Sequence, residues 1–168
     1  MTEASDLLDQ AEHLARLEPG EPKQASLRRA ISAAYYALFH FLAAHVSARL
    51  VPTEPPALAM AFRRTLDHQT MKAACERLVK GQSDPVLKSI VSYPLEAGLE
   101  EMVGAFKSLQ EARQTADYNT LHIWTRLEAL TLVDRARRAT EAWSSVVERS
   151  NTVVFLVLLS NPLNGRRR

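Results

Sequence analysis

Between Arg29 and His40 the chain reads Arg-Ala-Ile-Ser-Ala-Ala-Tyr-Tyr-Ala-Leu-Phe-His, and a helix of that composition has no face to spare for water. A helix that is apolar all round belongs inside a bundle, so this segment dictates a fold that surrounds it with other helices. The few polar groups are not scattered. At about 100° per residue, Arg29, Ser32, Tyr36 and His40 fall within an arc of about 80°, stacked turn upon turn. Buried polar groups need partners, so this thread asks for a polar counterpart on a neighbouring helix.

The rest of the chain is punctuated for helices. Only five glycines occur among 168 residues, the prolines fall mainly between periodic segments, and no Asn-Gly or Asp-Gly hairpin signal separates alternating runs. The periodicity predicts a first helix over about Ser5 to Leu17, ended by Pro19-Gly20, and a second from Pro22 or Ser26 to about Leu50. Shorter helices are expected over about Ala57 to Leu66 and Thr70 to Val79. Gly81 to Pro94 reads as the least ordered stretch, with Val86, Leu87 and Ile90 as its anchors. Long helices follow over about Leu95 to Tyr118 and Ile123 to Ser150. The expected fold is all-α, an antiparallel four- or five-helix up-and-down bundle over residues 1–150. Residues 151–168 read as a tail, basic at Arg166-Arg-Arg168, whose apolar run from Val153 to Leu159 is either a continuation of the last helix or a short partner-binding segment.

Twenty-one Lys and Arg against nineteen Asp and Glu leave a formal charge of +2, too balanced for bulk attraction to nucleic acid or a membrane. The single cysteine, Cys75, excludes an intramolecular disulfide framework and suits a reducing compartment. No Cys/His cluster has zinc spacing, and no metal or cofactor is expected. The acidic opening lacks the layout of a signal peptide, and the late apolar run is too short for a membrane span. A soluble, cytoplasmic protein is the expectation.

A second anomaly mirrors the first. Leu99, Met102, Phe106 and Leu109 form a core stripe, and extending it by 3.6-residue steps lands on Arg113 and then Asp117. Both point toward the interior side. They read either as a local i,i+4 ion pair with the arginine on an aromatic ring, or as one wall of a polar cleft. In the second case Arg113, Asp117 and Tyr118 face the thread of Ser32, Tyr36 and His40. His68, near a helix start and four residues before Lys72, offers a further contact for phosphate, although an ordinary surface histidine is the simpler account. Trp124 and Trp143 read as packing residues.

Arg29-Ala-Ile-Ser-Ala-Ala-Tyr-Tyr-Ala-Leu-Phe-His40 paired with Ala112-Arg-Gln-Thr-Ala-Asp-Tyr118 resembles the HEPN superfamily (higher eukaryotes and prokaryotes nucleotide-binding), in its small prokaryotic single-domain branch. Leu7-Leu8-x-x-Ala11, Pro22-x-Gln24-Ala-Ser-Leu-Arg28 and Asp67-His68-x-x-Met71-Lys72 are similar too, so the resemblance spans roughly residues 5 to 150. It implies a bundle that forms a homodimer, with the motif positions of both copies lining one cleft. Many members are metal-independent ribonucleases of toxin–antitoxin and phage-defence systems. In those, an arginine stabilises phosphate charge and a histidine four to six residues later moves the proton of the ribose 2′-hydroxyl. Here those three places hold Asp117, Tyr118 and Asn119, His122 is nine residues on, and Gln114 stands where this branch often has a histidine.

Two functions follow from the resemblance. One is a non-catalytic homodimer that binds RNA, a nucleotide or a protein partner through Arg113, Asp117 and Tyr118, with Ser32, Tyr36, His68 and Lys72 as further binding residues. The other is a divergent ribonuclease with Arg113 as phosphate clamp, Asp117 beside it, and His40 or His68 as the acid–base group. A partner encoded in the same operon, gripped by the Val153–Leu159 segment, is a third expectation.

Overall fold

A computed structural model describes residues 3–51 and 55–160, and every regular element among them is helical. The helices are α1 (Glu3–Ala15), α2 (Gln24–Leu50), α3 (Pro56–Arg63), α4 (His68–Val79), α5 (Pro85–Ile90), α6 (Ala97–Tyr118), α7 (Arg126–Ala142) and α8 (Ser150–Leu159). The all-helical class expected from the punctuation is what the chain adopts.

The apolar segment behaves as its composition requires. Helix α2 runs for 27 residues and packs against α1, α6 and α7, with lighter contacts to α3 and α8. It is long and apolar enough to cross a membrane, yet 61% of its most apolar window is buried inside the protein. Ala30, Ile31, Ala34, Tyr35, Ala37 and Leu38 are completely enclosed. The alanines let the neighbouring backbones approach closely, and the larger residues fill the space between them. On α6 the stripe Leu99, Met102, Phe106 and Leu109 is likewise completely enclosed.

The inter-helix contacts fix direction. Ser32 and Tyr36 near the start of α2 bond to Asp117 and Arg113 at the end of α6, so these two helices run antiparallel. Glu3 lies beside His40, and Gln24 exchanges two hydrogen bonds with the backbone of Trp124. Helix starts carry ordinary chemistry. Asp67 caps α4 by accepting from the Gln69 and Thr70 amides, Asp84 caps α5, and Thr125 with Glu128 forms a capping box on α7.

Three expectations need correction. The helix predicted over Ile123 to Ser150 stops at Ala142, because a 3-10 turn at Trp143–Ser145 ends it. The stretch from Gly81 to Pro94 is ordered into a 3-10 turn and α5. Leu87 anchors it in the core, whereas Val86 and Ile90 face outward. The apolar run 153–159 is no separate tail: Phe155, Leu156, Leu158 and Leu159 lie in the main core beside α4 and α2. The boundary drawn at residue 150 therefore cuts through one packed unit, and these side chains are not free to grip a neighbour. Residues 161–168, including the terminal arginines, lie outside the described residues. Ala129, Ala136 and Ala139, small enough for a helix contact between subunits, are fully buried within this chain.

Candidate functional site

The polar thread of α2 and the displaced arginine of α6 meet. Arg113 occupies the next step of the core stripe, so its chain lies inside and its side chain is only 19% exposed. Its Nε sits 2.7 Å from Asp117 Oδ2, an ion-pair contact one turn along the same helix whose N–H is not aligned on that oxygen. Its Nη2 donates to the Tyr36 hydroxyl at 3.1 Å. The guanidinium carbon lies 5.7 Å from the centroids of both the Tyr36 and Tyr118 rings, within cation–π range of each. Asp117 is held from the other side, where Ser32 Oγ donates to its Oδ1 at 2.6 Å. Burial works against the charge on Arg113, but the Tyr36 hydroxyl and Asp117 more than offset it and raise its pKa.

Beside this pair opens a cavity of about 280 Å³ lined by Asp67, His68, Gln110, Arg113, Gln114 and Tyr118, among others. Tyr118 is 72% exposed, so one edge of the cavity is a nearly bare aromatic ring. His68 is the first residue of α4 and comes from an element remote in sequence. Its Nδ1 lies 2.6 Å from the hydroxyl of Tyr35, and its ring packs 4.4 Å from that of Phe39. Its backbone carbonyl accepts from the Gln110 amide at 2.9 Å. Burial and then the positive charge of Arg113 push the His68 pKa below 6.5, so the imidazole is neutral at physiological pH.

The expected site residues therefore divide. Ser32, Tyr36, Arg113 and Asp117 form one bonded network, with Tyr118 stacked on it and His68 across the adjoining cavity. His40 does not line that cavity. Its ring stacks on Tyr36 at 6.2 Å, its Nδ1 faces Glu3 at 3.9 Å, and it lines a second cavity of about 290 Å³ with Arg29 and Glu3. At His40 the polar edge of α2 faces the start of α1, where Glu3 and Leu7 line the second cavity with it. Lys72 is also displaced: its ammonium lies 3.3 Å from Glu111, outside the lining of the first cavity. The thread thus supplies two partners of the Arg113–Asp117 pair, Ser32 and Tyr36, neither of them in the lining of the first cavity. Tyr36 lines the second cavity with His40, and Lys72 belongs to a neighbouring surface.

Some contributors carry no signal in the sequence. Tyr35 is a core aromatic by pattern, yet its hydroxyl positions His68. Gln110 lies inside the stripe of α6, 6% exposed, where an apolar residue would be expected. Arg28 is spent on structure. Its two terminal nitrogens donate to the carbonyls of Ala116, Asn119, Thr120 and His122, tying down the turn that follows Tyr118.

Chemically, the arrangement offers a partly shielded cation, a neutral imidazole, three glutamine amides including Gln69 and an exposed ring around one small cavity. Among the described residues no three His, Cys, Asp or Glu side chains gather as a metal site. Ligand cavities usually run from about 300 to 1,000 Å³, and this one, at about 280 Å³, lies just below that range. Compared with known proteins, the chain matches no family model, no curated protein and no solved structure.

Proposed function

We propose that this chain is a HEPN-like module, an up-and-down helical bundle acting as a homodimer, that binds single-stranded RNA or a nucleotide without cleaving it. The observation that carries the reading is the Arg113 guanidinium, 5.7 Å from each of two tyrosine rings, in the lining of a cavity of about 280 Å³. Aromatic stacking and an arginine together are how proteins hold unpaired bases and their phosphates. Arg113 would meet the phosphate and Tyr118 would stack a base, while Asp117, Ser32 and Tyr36 keep the guanidinium in place. The bulk charge of +2 favours a short local contact over a broad electrostatic footprint.

Fluorescence anisotropy with a labelled single-stranded RNA tests this. Tyr118→Ala removes a stacking surface worth about 1–3 kcal/mol per base, a loss of roughly tenfold or more in affinity. Arg113→Ala should weaken binding at least as much and reduce its salt dependence. Equal affinity in wild type and both variants would sink the reading.

The second reading, a metal-independent ribonuclease, has one observation in its favour: a neutral histidine, His68, lines the same cavity as Arg113. Cleavage of RNA by the wild type that disappears in His68→Ala would establish it. Intact RNA after long incubation favours binding alone.

A further inference from the structure

We infer that Tyr35 locks His68 in the neutral tautomer that carries its proton on Nε2, and that this N–H and Nη1 of Arg113 form a two-donor site for a phosphate group. The inference rests on the cavity being the ligand site, and it names which atoms grip the ligand.

The tautomer follows from counting hydrogens. Tyr35 is completely enclosed, and among the described residues its hydroxyl has one partner, Nδ1 of His68 at 2.6 Å. Burial pushes the Tyr35 pKa far up, so the hydroxyl keeps its hydrogen. That hydrogen has one place to go. If Nδ1 also carried a proton, two hydrogens would compete for one short contact and the phenol would be left an unsatisfied buried donor. The phenol therefore donates, Nδ1 accepts, and the ring proton sits on Nε2.

Nε2 is open to the cavity. It has no protein partner among the described residues and is not sealed from water, and His68 lines the space. Arg113, which lines the same cavity, is in the same condition. Its Nε and Nη2 are engaged by Asp117 and Tyr36, while Nη1 has no partner and is not sealed from water. Two N–H donors facing one cavity, one of them charged, match the oxygens of a phosphate. The backbone amides at the start of α4 do not contribute, because Asp67 already accepts from Gln69 and Thr70. Asp67 also lines the cavity; its negative charge biases the anion toward the Arg113 side.

The same assignment removes His68 as a proton acceptor. A base needs a bare nitrogen toward the substrate, and here the bare nitrogen faces Tyr35. The site is built to hold a phosphate, not to deprotonate a 2′-hydroxyl.

Long-range ¹H–¹⁵N correlation spectra of the full chain at pH 7.5 read the tautomer directly. The expected pattern for His68 is a protonated Nε2 and a bare Nδ1; a protonated Nδ1 would overturn the proposal. Inorganic phosphate and adenosine 5′-monophosphate are then titrated separately. Shifts of His68 Nε2 and of the Arg113 guanidinium with either probe support the site, and their absence with both overturns it. His68→Gln keeps an N–H donor near Nε2 and should hold affinity for the monophosphate within about threefold, while His68→Ala should lose about tenfold. Equal losses in the two variants argue against donation. RNA binding that depends on Arg113 and Tyr118 but leaves the His68 signals unmoved would retain the proposed function and discard this assignment.

Discussion

Arg28 offers the sharpest test of how the cleft is held in shape. Its Nη1 donates to Ala116 O at 2.7 Å and Asn119 O at 3.0 Å, and its Nη2 to Thr120 O at 3.3 Å and His122 O at 2.6 Å. The two shortest bonds are partly buried; the other two lie where water can replace the arginine. A hydrogen bond from a charged donor contributes about 1.5–3 kcal/mol, so only the sheltered pair counts fully. Arg28→Ala should therefore destabilise the fold by about 3 kcal/mol. Arg28→Lys, whose single nitrogen cannot span both sheltered carbonyls, should lie about midway. Urea denaturation monitored by circular dichroism gives the global loss, and amide exchange over residues 118–125 shows whether the turn is released. Tyr118 ends the helix that this clamp terminates, so ligand affinity should fall in step with turn mobility. A loss below about 0.5 kcal/mol with unchanged exchange would refute the account, because the four carbonyls would then be equally content with water.

Four further outcomes are expected. Phe155→Ala, at a fully enclosed position, should cost about 3–5 kcal/mol and lower Tm markedly in a calorimetric scan. Gly98→Ala should cost about 1–3 kcal/mol, since a Cβ there would lie 2.8 Å from the carbonyl oxygen of Ala142; an unchanged melting curve would show that α6 and α7 separate freely. The lowered pKa of His68 means that the unfolded chain binds a proton the folded chain refuses, so stability should fall as pH drops through 6.5. His68→Gln should flatten that part of the stability–pH curve between pH 7.5 and 5.5. Asp84 has a carboxyl held below 3.8 chiefly by Arg77, so its contribution is present above that pH and lost as acid protonates it. Asp84→Asn should shrink the acid-limb loss seen in urea midpoints.

How far the sequence carried the reading depends on where each partner came from. Arg113 and Asp117 were legible because a 3.6-residue stripe continued past Leu109 onto polar residues, and Ser32 and Tyr36 because they shared one arc of α2. His68 was named only as a histidine near a helix start; that it shares a cavity with Arg113 depends on how α4 packs against α6, and no local pattern encodes that. His40 shared the arc of Tyr36, but at its level that edge of α2 faces Glu3 of α1, so a correct angular position still met the wrong neighbour. The end of α7 at Ala142 was hidden for another reason: Trp143-Ser-Ser carries no glycine or proline, and the apolar period continues across it. Residues 153–159 could be read as more helix or as a partner-binding segment, and their burial in this core was hidden because an apolar element with no polar face does not show what it packs against.

That last element has a bearing on how the protein comes into being. Phe155, Leu156, Leu158 and Leu159 complete a core whose other residues come from earlier helices, among them α2 and α4, on which α8 packs. While residues 150–159 remain in the ribosomal tunnel, the emerging helices present an unfilled apolar trough to water and to any chaperone within reach. Closure waits for α8, the last helix among the described residues, so the core stays incomplete until that helix has emerged, and a nonsense codon before residue 150 should yield sticky, rapidly degraded fragments.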